Sequence, residues 1–408
     1  MRRRALILVE GGPWRCCQLY VQAAKRLGLH PITLSANPTC DEYLVTEGTK
    51  AIGVDTSDLD ALIHECSRIR ANYDIAGIMG RSLFYPTVGK LCRHFDLPGP
   101  NPASIERCND KFTQRQLLAE AGVPMPAYRL AANAKDIEKS AAEIGLPVIL
   151  KPTVYGGGSI GVRLCRNFDA VAEHTAYLLG EHIWQSSPRI LVEEFAQGPY
   201  YTADILGNEV VGIGAGDFGP PPHFVYRQFT YPAPLTDEEY DRITDVSLSC
   251  LRALDLGWGP KNIEFRWTTG GPVVIEVNPR MAGTPDPQLV QLAYGVDLIT
   301  EHIKLVIGDE CDLHRRHSHT AAARFLVADR DGVLDWIGGD SQAAAVSGVA
   351  EVKFYVHPKT PIVRKGDYRD TIGHVIAASP GRAQTEATLQ RAADLIDWSI
   401  TPFPNVSE

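Results

Sequence analysis

Four residues of this chain have the types and spacing that chemistry would need: Glu264, Glu276, Asn278 and Arg280. The last three alternate through the stretch VVIEVNPRMAGTPD, and alternation along a strand puts side chains on one face. The longer stretch NIEFRWTTGGPVVIEVNPR reads as a β-hairpin with Gly270 and Gly271 in its turn. If the turn centres on Gly270, Glu264 lies opposite Glu276 and Asn262 opposite Asn278. Ile263, Phe265, Trp267, Val273, Ile275 and Val277 then form the buried face. Carboxylates that face each other across strands repel, and a cation between them resolves the conflict. Two Glu and one Asn offer hard oxygen ligands, which suit Mg²⁺ better than Zn²⁺. The other reading is a solvated polar face. Asn278-Pro279-Arg280 at the strand end weighs against it.

A second stretch, VILKPTVYGGGSIGVRLC, carries glycines at 156, 157, 158 and 161. A P-loop needs Lys-Ser/Thr at its glycine-rich end and then a helix, and a dinucleotide-binding turn also needs a helix. Here VRLC follows and is strand-like. What remains is a glycine hairpin with bare backbone amides, able to wrap a polyphosphate beside Lys151. On these residues alone, an ordinary surface hairpin is as good a reading. The cluster HRRHSH (His314, His317, His319) lies in a polar, Arg-bearing stretch and reads as a solvated loop. Cys16-Cys17 reads as helix packing, and the proline-rich, aromatic stretch at 217–234 reads as a substrate-covering loop or as an ordinary structured connector.

These residues must be held by larger elements. The first hundred residues alternate strand and helix patterns: ALILV, WRCCQLYVQAAKRL, HPITLS, KAIGVD, a helix from about Leu59 to Arg70, and DIAGIMG. That grammar predicts a parallel sheet. LPGPNPASIERCND marks a boundary, after which Asn109 or Asp110 caps a helix through KFTQRQLLAEA. A helix near Ala134 to Ile144 and the strand PVILKP follow, then antiparallel strands with some helices to about residue 308. The strands TAAARFLVAD, VAEVKFYV and GHVIAAS precede a closing helix, AQTEATLQRAADLIDW.

Composition sets outer bounds. A chain of 408 residues exceeds one compact core, so two or three domains are expected. The net charge of -9 weighs against nucleic acid as a partner. Nine cysteines, an odd number with no C-x-x-C, fit a reducing cytoplasm rather than a disulfide framework. The apolar run Ala5 to Val9 is too short for a signal peptide, and no stretch approaches transmembrane length.

Taken together, the helix-start lysine, strand lysine, glycine hairpin, LVEEFAQGPYYTADI and Glu-x11-Glu-x-Asn resemble the ATP-grasp superfamily. Within it the chain looks most like the L-amino-acid ligases that make dipeptides, to whose C-terminal extension AAARFLVADRDGVL and VKFYVHPKTPIV are similar. The resemblance implies an α/β and α+β fold: an N-terminal parallel α/β domain (1–104), an ATP-grasp fold of two α+β subdomains (105–190, lid-bearing, and 191–310, with the metal hairpin), and a C-terminal α+β extension (311–408). It implies an ADP-forming carboxylate–amine ligase that joins amino acids through an acyl phosphate, the alternative being a phosphotransferase acting on a hydroxyl. Residue by residue, it implies phosphate contacts from Lys111 and Lys151 and a closing loop of Gly156, Gly157, Gly158 and Ser159. Glu193, Glu194, Phe195 and Ala196 match the hinge whose backbone reads adenine. Glu264, Glu276 and Asn278 match ligands of Mg²⁺, with Mn²⁺ an alternative, and Arg280 matches the arginine on the carboxylate and its acyl phosphate. Expected partners are ATP and small amino-acid substrates, with a homodimer admitted and no nucleic acid or membrane. Two positions depart from the pattern. Tyr200 stands where many members hold the ribose with an acid, leaving ribose binding unassigned. Tyr226 and Phe229 stand where related dipeptide ligases show a Glu and a His, which opens the question of the acceptor.

Overall fold

The computed structural model describes residues 2–10, 17–38, 47–80, 84–154, 157–180 and 189–404. The N-terminal strands Arg3–Glu10, His30–Ser35, Lys50–Gly53 and Tyr73–Gly80 form a parallel sheet with Arg3–Glu10 inside it. Its apolar runs are buried on both faces, as parallel strands require. Ala5, Ile7 and Val9 pack on the helices Leu59–Arg70 and Tyr85–His94. Leu6 and Leu8 pack on Cys17–Arg26 and on the distant helix Leu298–Val306, which ties this domain to the body of the protein.

A four-stranded antiparallel sheet follows, in the order Tyr128–Ala131, Ile190–Glu194, Val148–Pro152, Arg163–Cys165. The helices Ala134–Ile144 and Phe168–Gly180 cover it through Ile137, Ala141, Val171 and Leu178. Asp110 caps the helix Lys111–Glu120 by accepting from Thr113 N–H, one of the two caps expected.

The largest sheet has eight antiparallel strands, ordered Gly271–Asn278, Pro260–Thr268, Tyr200–Leu206, Glu209–Phe218, Tyr226–Tyr231, Thr320–Val327, Thr371–Ser379 and Val349–Phe354. The divisions expected at 190/191 and 310/311 therefore do not separate sheets. Ile190–Glu194 belongs to the small sheet, and the C-terminal strands extend the large one, pairing an edge that would otherwise be open. The closing helix also ends earlier than its periodicity suggests. It runs Arg382–Ala393, and Asp397–Thr401 turns back as a strand against Gly332–Gly338.

One strand of the large sheet is shaped by glycine. Gly212, Gly214 and Gly216 lie opposite Asp204, Thr202 and Tyr200 and so share their face. A Cβ on Gly214 would stand 2.4 Å from the Tyr231 ring. That absence lets Tyr231 cross its neighbouring strand and donate from its hydroxyl to Asp204 at 2.5 Å. Asn262 Nδ2 supplies Asp204 with a second donor at 3.0 Å. Gly214→Ala should therefore displace the ring and lower stability by about 1–3 kcal/mol. Urea denaturation measures this, and an unchanged midpoint would show that the ring does not need the space.

Candidate functional site

The central strands of the small sheet and the hairpin end of the large sheet line one pocket. Glu264 pairs with Glu276 and Asn262 with Asn278, as alternation predicts. The buried face differs from expectation. A β-bulge follows Glu264, so Phe265 pairs with Val274, and Val274 joins Ile263, Phe265 and Val277 in the core. Val273 and Ile275 are only part-buried. An extra residue on one strand reverses its alternation, which a sequence pattern alone does not reveal. The bulged residue, Ile275, lines the pocket, and its carbonyl accepts from Arg115 and Lys151.

Three cations approach the hairpin from the small subdomain and the adjoining helix. Lys111, at the start of its helix, reaches Glu276 Oε1 at 3.0 Å. One turn later on the same helix face, Arg115 Nε donates to Glu193 at 2.5 Å. Lys151 Nζ meets the other oxygen of Glu193 at 2.6 Å. Glu193, Arg115 and Lys151 are 3%, 1% and 4% exposed, so this is a buried ion cluster whose loss of one member would strand a charge. Burial alone would raise Glu193, but Arg115 and then Lys151 outweigh it and hold the carboxyl below its usual range. The Glu193 side chain thus fixes Lys151 in place. Sequence reading missed Arg115, although its i+4 spacing from Lys111 was a usable signal.

The two hairpin carboxylates are unequal. Burial would raise Glu276, but Lys111, then Lys151 and Arg280, hold it below the ordinary value. Glu264 is pushed up to about 6, first by burial and then by the charge of Glu276. Its Oε1 accepts from Asn278 Nδ2 at 3.1 Å, and Arg280 Nη2 donates to Asn278 Oδ1 at 3.2 Å. Among the described residues Arg280 has no carboxylate within ion-pair distance, and it lines the pocket beside Gly157. The donors therefore fit a hard divalent cation: two carboxylates and one amide, with one carboxylate short of positive charge. Among the described residues, no cluster of three or more His, Cys, Asp or Glu offers another metal geometry. His314 is exposed beside Asp312, and His317 stacks on His319 in the connector before the strand Thr320–Val327.

Gly157, Gly158 and Ser159 form a tight turn over the pocket, while Gly156 lies outside the described residues. Gly158 has φ +69°, and the ring of Tyr368 lies against it, where a Cβ would come within 2.6 Å. Glu193, Glu194, Phe195 and Ala196 line the far end. The N–H groups of Glu194 and Phe195 are taken by the carbonyls of Ala127 and Pro147, while Ala196 stands at the pocket wall. Between the two ends stand Tyr200, Phe218, Phe224, Tyr226 and Arg266, so the proline-rich stretch does contribute wall residues. Tyr200 and Tyr226 share a hydroxyl hydrogen bond of 2.9 Å, and Phe229 is core. Arg266, two residues beyond Glu264 on the same face, was also legible by alternation and was missed.

Comparison with known proteins now places the chain. The model of the carbamoyl-phosphate synthase L chain, ATP-binding domain, matches residues 110–314, and that of the L-amino acid ligase C-terminal domain 2 matches 324–401. A Sinorhizobium fredii protein, "Uncharacterized protein y4rH", is 59% identical over 408 residues, covering 100% of this chain and 85% of that one. Human carnosine synthase 1 is 28% identical over 331 residues, covering 74% of this chain and 39% of that one. The crystal structure of L-amino acid ligase from Bacillus licheniformis has the same fold, with TM-score 0.82 at 18% identity, covering 98% of this chain and 100% of that one. The chain belongs to the ATP-grasp superfamily, among its carboxylate–amine ligases, with features like those of the L-amino-acid ligases. Among the described residues no helix is long and apolar enough to cross a membrane.

The unequal carboxylates make a testable statement about pH. A carboxyl whose folded pKa is raised costs stability once it ionises, so this cost is absent below the unfolded value and grows as pH rises through about 6. Glu264→Gln, without metal or nucleotide, should be more stable than the wild type at pH 8 by about 1–2 kcal/mol. The gain should vanish near pH 4. Parallel melts across that range check it, and a variant less stable at pH 8 would refute the assignment of strain to this pair.

Proposed function

We propose that the protein is an ADP-forming ligase that joins the carboxylate of one amino acid to the amine of another. The observation that supports this most is the grouping of Lys111, Lys151, Glu264, Glu276, Asn278 and Arg280 around one pocket walled by the glycine turn. Glu264, Glu276 and Asn278 would hold Mg²⁺, which when bound neutralises phosphate charge and orients the transferred group. Lys111 and Lys151 add fixed positive charge to the same region, and their salt bridges keep both rigid. Ala196 and the neighbouring backbone would read the adenine at the other end.

In this reading a substrate carboxylate oxygen attacks the γ-phosphorus of ATP. The bond from that phosphorus to the bridging oxygen breaks, and ADP leaves. The amine, neutral after giving one proton to water, then attacks the acyl carbon. The C–O bond to phosphate breaks, and the second nitrogen proton leaves with the phosphate. Arg280 offers a planar fork to the carboxylate and then to the acyl phosphate, about two strand residues or roughly 6–7 Å beyond Asn278 along the strand direction. Acyl phosphates hydrolyse readily, so the turn at 157–159 must close over them.

Three outcomes are expected. Arg280→Ala should bind ATP nearly as the wild type does and lose about 2–4 kcal/mol of transition-state stabilisation in kcat/KM. With the wild type, ADP release should need a carboxylate and an amine together, and mass spectrometry should find an amide without phosphate. A stable phosphorylated alcohol formed without an amine would favour a phosphotransferase instead. Hydrogen exchange of residues 157–161 should slow when Mg²⁺ and a slowly hydrolysed ATP analogue are added, because three glycines in that turn carry high backbone entropy until a ligand orders them. Equal exchange in both states would remove the lid from the mechanism.

A further inference from the structure

Arg266 is a part-buried cation that the steps above do not use. Its guanidinium lies 5.2 Å from the ring centre of Phe218, 5.4 Å from Tyr200 and 5.9 Å from Phe224. Nη1 donates to Gly198 O at 2.9 Å. Among the described residues no carboxylate lies within ion-pair distance of it, although it faces the pocket. The rings around it bring few acceptors. Phe218 and Phe224 have none, and the Tyr200 hydroxyl is turned to Tyr226. This part of the wall is therefore dominated by a group that can only donate.

Its place in the pocket says what it meets. On the strand Pro260–Thr268, Arg266 pairs with Tyr200 and Glu264 with Thr202, so the two side chains share one face a single alternation apart. Through Gly198, Arg266 is anchored two residues after Ala196. A nucleotide laid from Ala196 to the Glu264–Glu276 pair carries its sugar past Arg266. Resting on the ligase reading above, we infer that Arg266 binds the nucleotide's sugar, donating hydrogen bonds to a ribose hydroxyl oxygen. The ribose oxygens then act as acceptors, and the aromatic rings hold the guanidinium flat for them. This assigns a role that Tyr200, with its hydroxyl already engaged, does not fill.

The test measures binding of ADP, 2′-deoxy-ADP and 3′-deoxy-ADP, each with Mg²⁺, by calorimetry. The proteins are the wild type, Arg266→Met and Arg266→Lys. Methionine keeps the length and fills an aromatic box without a donor. The wild type should bind ADP about tenfold tighter than at least one deoxy nucleotide, the worth of one hydrogen bond to a charged donor. In Arg266→Met that preference should vanish, because nucleotides that keep the contacted hydroxyl lose affinity while the one that lacks it does not, and Arg266→Lys should keep part of it. Should the Met variant fail to melt cooperatively, the Lys variant decides, since a preference unchanged by lysine sinks the inference. Equal weakening of all three nucleotides would assign Arg266 to a phosphate or to packing and overturn it. So would unchanged nucleotide binding with a raised KM for the amine substrate. Absence of ADP binding to the wild type would strike down the ligase reading itself, an outcome distinct from a lost sugar preference.

Discussion

Two carboxylates held face to face across a hairpin are the constraint around which this protein is arranged. Glu264 and Glu276 sit on paired strands with limited access to water, where like charges cannot simply be solvated. The chain answers with cations from other elements, and it answers unequally. Glu276 receives Lys111 directly, while Glu264 has no ion-pair partner among the described residues and takes neutral donors, the Asn278 amide and the Tyr200 hydroxyl, with Arg280 and Lys151 acting on it from further off. The deficit left on Glu264 keeps the pair from being a closed salt bridge. A fully compensated pair would be more stable and would have little to offer a ligand.

Holding lysines near such a pair has its own cost, because a lysine is a strongly hydrated charge on a flexible stem. The structure meets it with the buried cluster around Glu193. One carboxylate, clamped by Arg115 and Lys151, fixes the lysine strand of the small sheet to the helix Lys111–Glu120. The bulge at Ile275 completes the link by turning a backbone carbonyl toward the same two cations. Small sheet, helix and hairpin are thereby joined by charge at the pocket. The glycine strand does comparable work on the other side, admitting Tyr231 to Asp204 and so ordering the polar face next to the hairpin.

The likeness to the L-amino acid ligase structure, which is one of fold, and the partial match to carnosine synthase both include the central region that holds the hairpin and the lysines. The pocket wall between Ala196 and the hairpin is aromatic and carries an arginine.

Much of this was legible in the residues alone, for physical reasons that can be named. Period-two alternation and a Gly-Gly turn were sufficient to place Glu264 opposite Glu276, because strand pairing near a tight turn leaves little freedom of register. The βαβ grammar of the first hundred residues dictated a parallel sheet, and Asp110 announced the helix that begins with Lys111. Other features were decided only by the tertiary structure. The carbonyl of the bulged Ile275 meets two cations, and they come from residues 115 and 151, far away in the chain. The end of the closing helix at Ala393 was set by a partner strand for residues 397–401, which helical periodicity cannot sense. The unequal charge states of Glu264 and Glu276 depend on burial and on which lysine arrives, and the place of Arg266 in the pocket wall depends on Gly198. Local patterns encode which face a side chain takes. Only packing determines which charges come to share that face, because it alone sets distance and access to water.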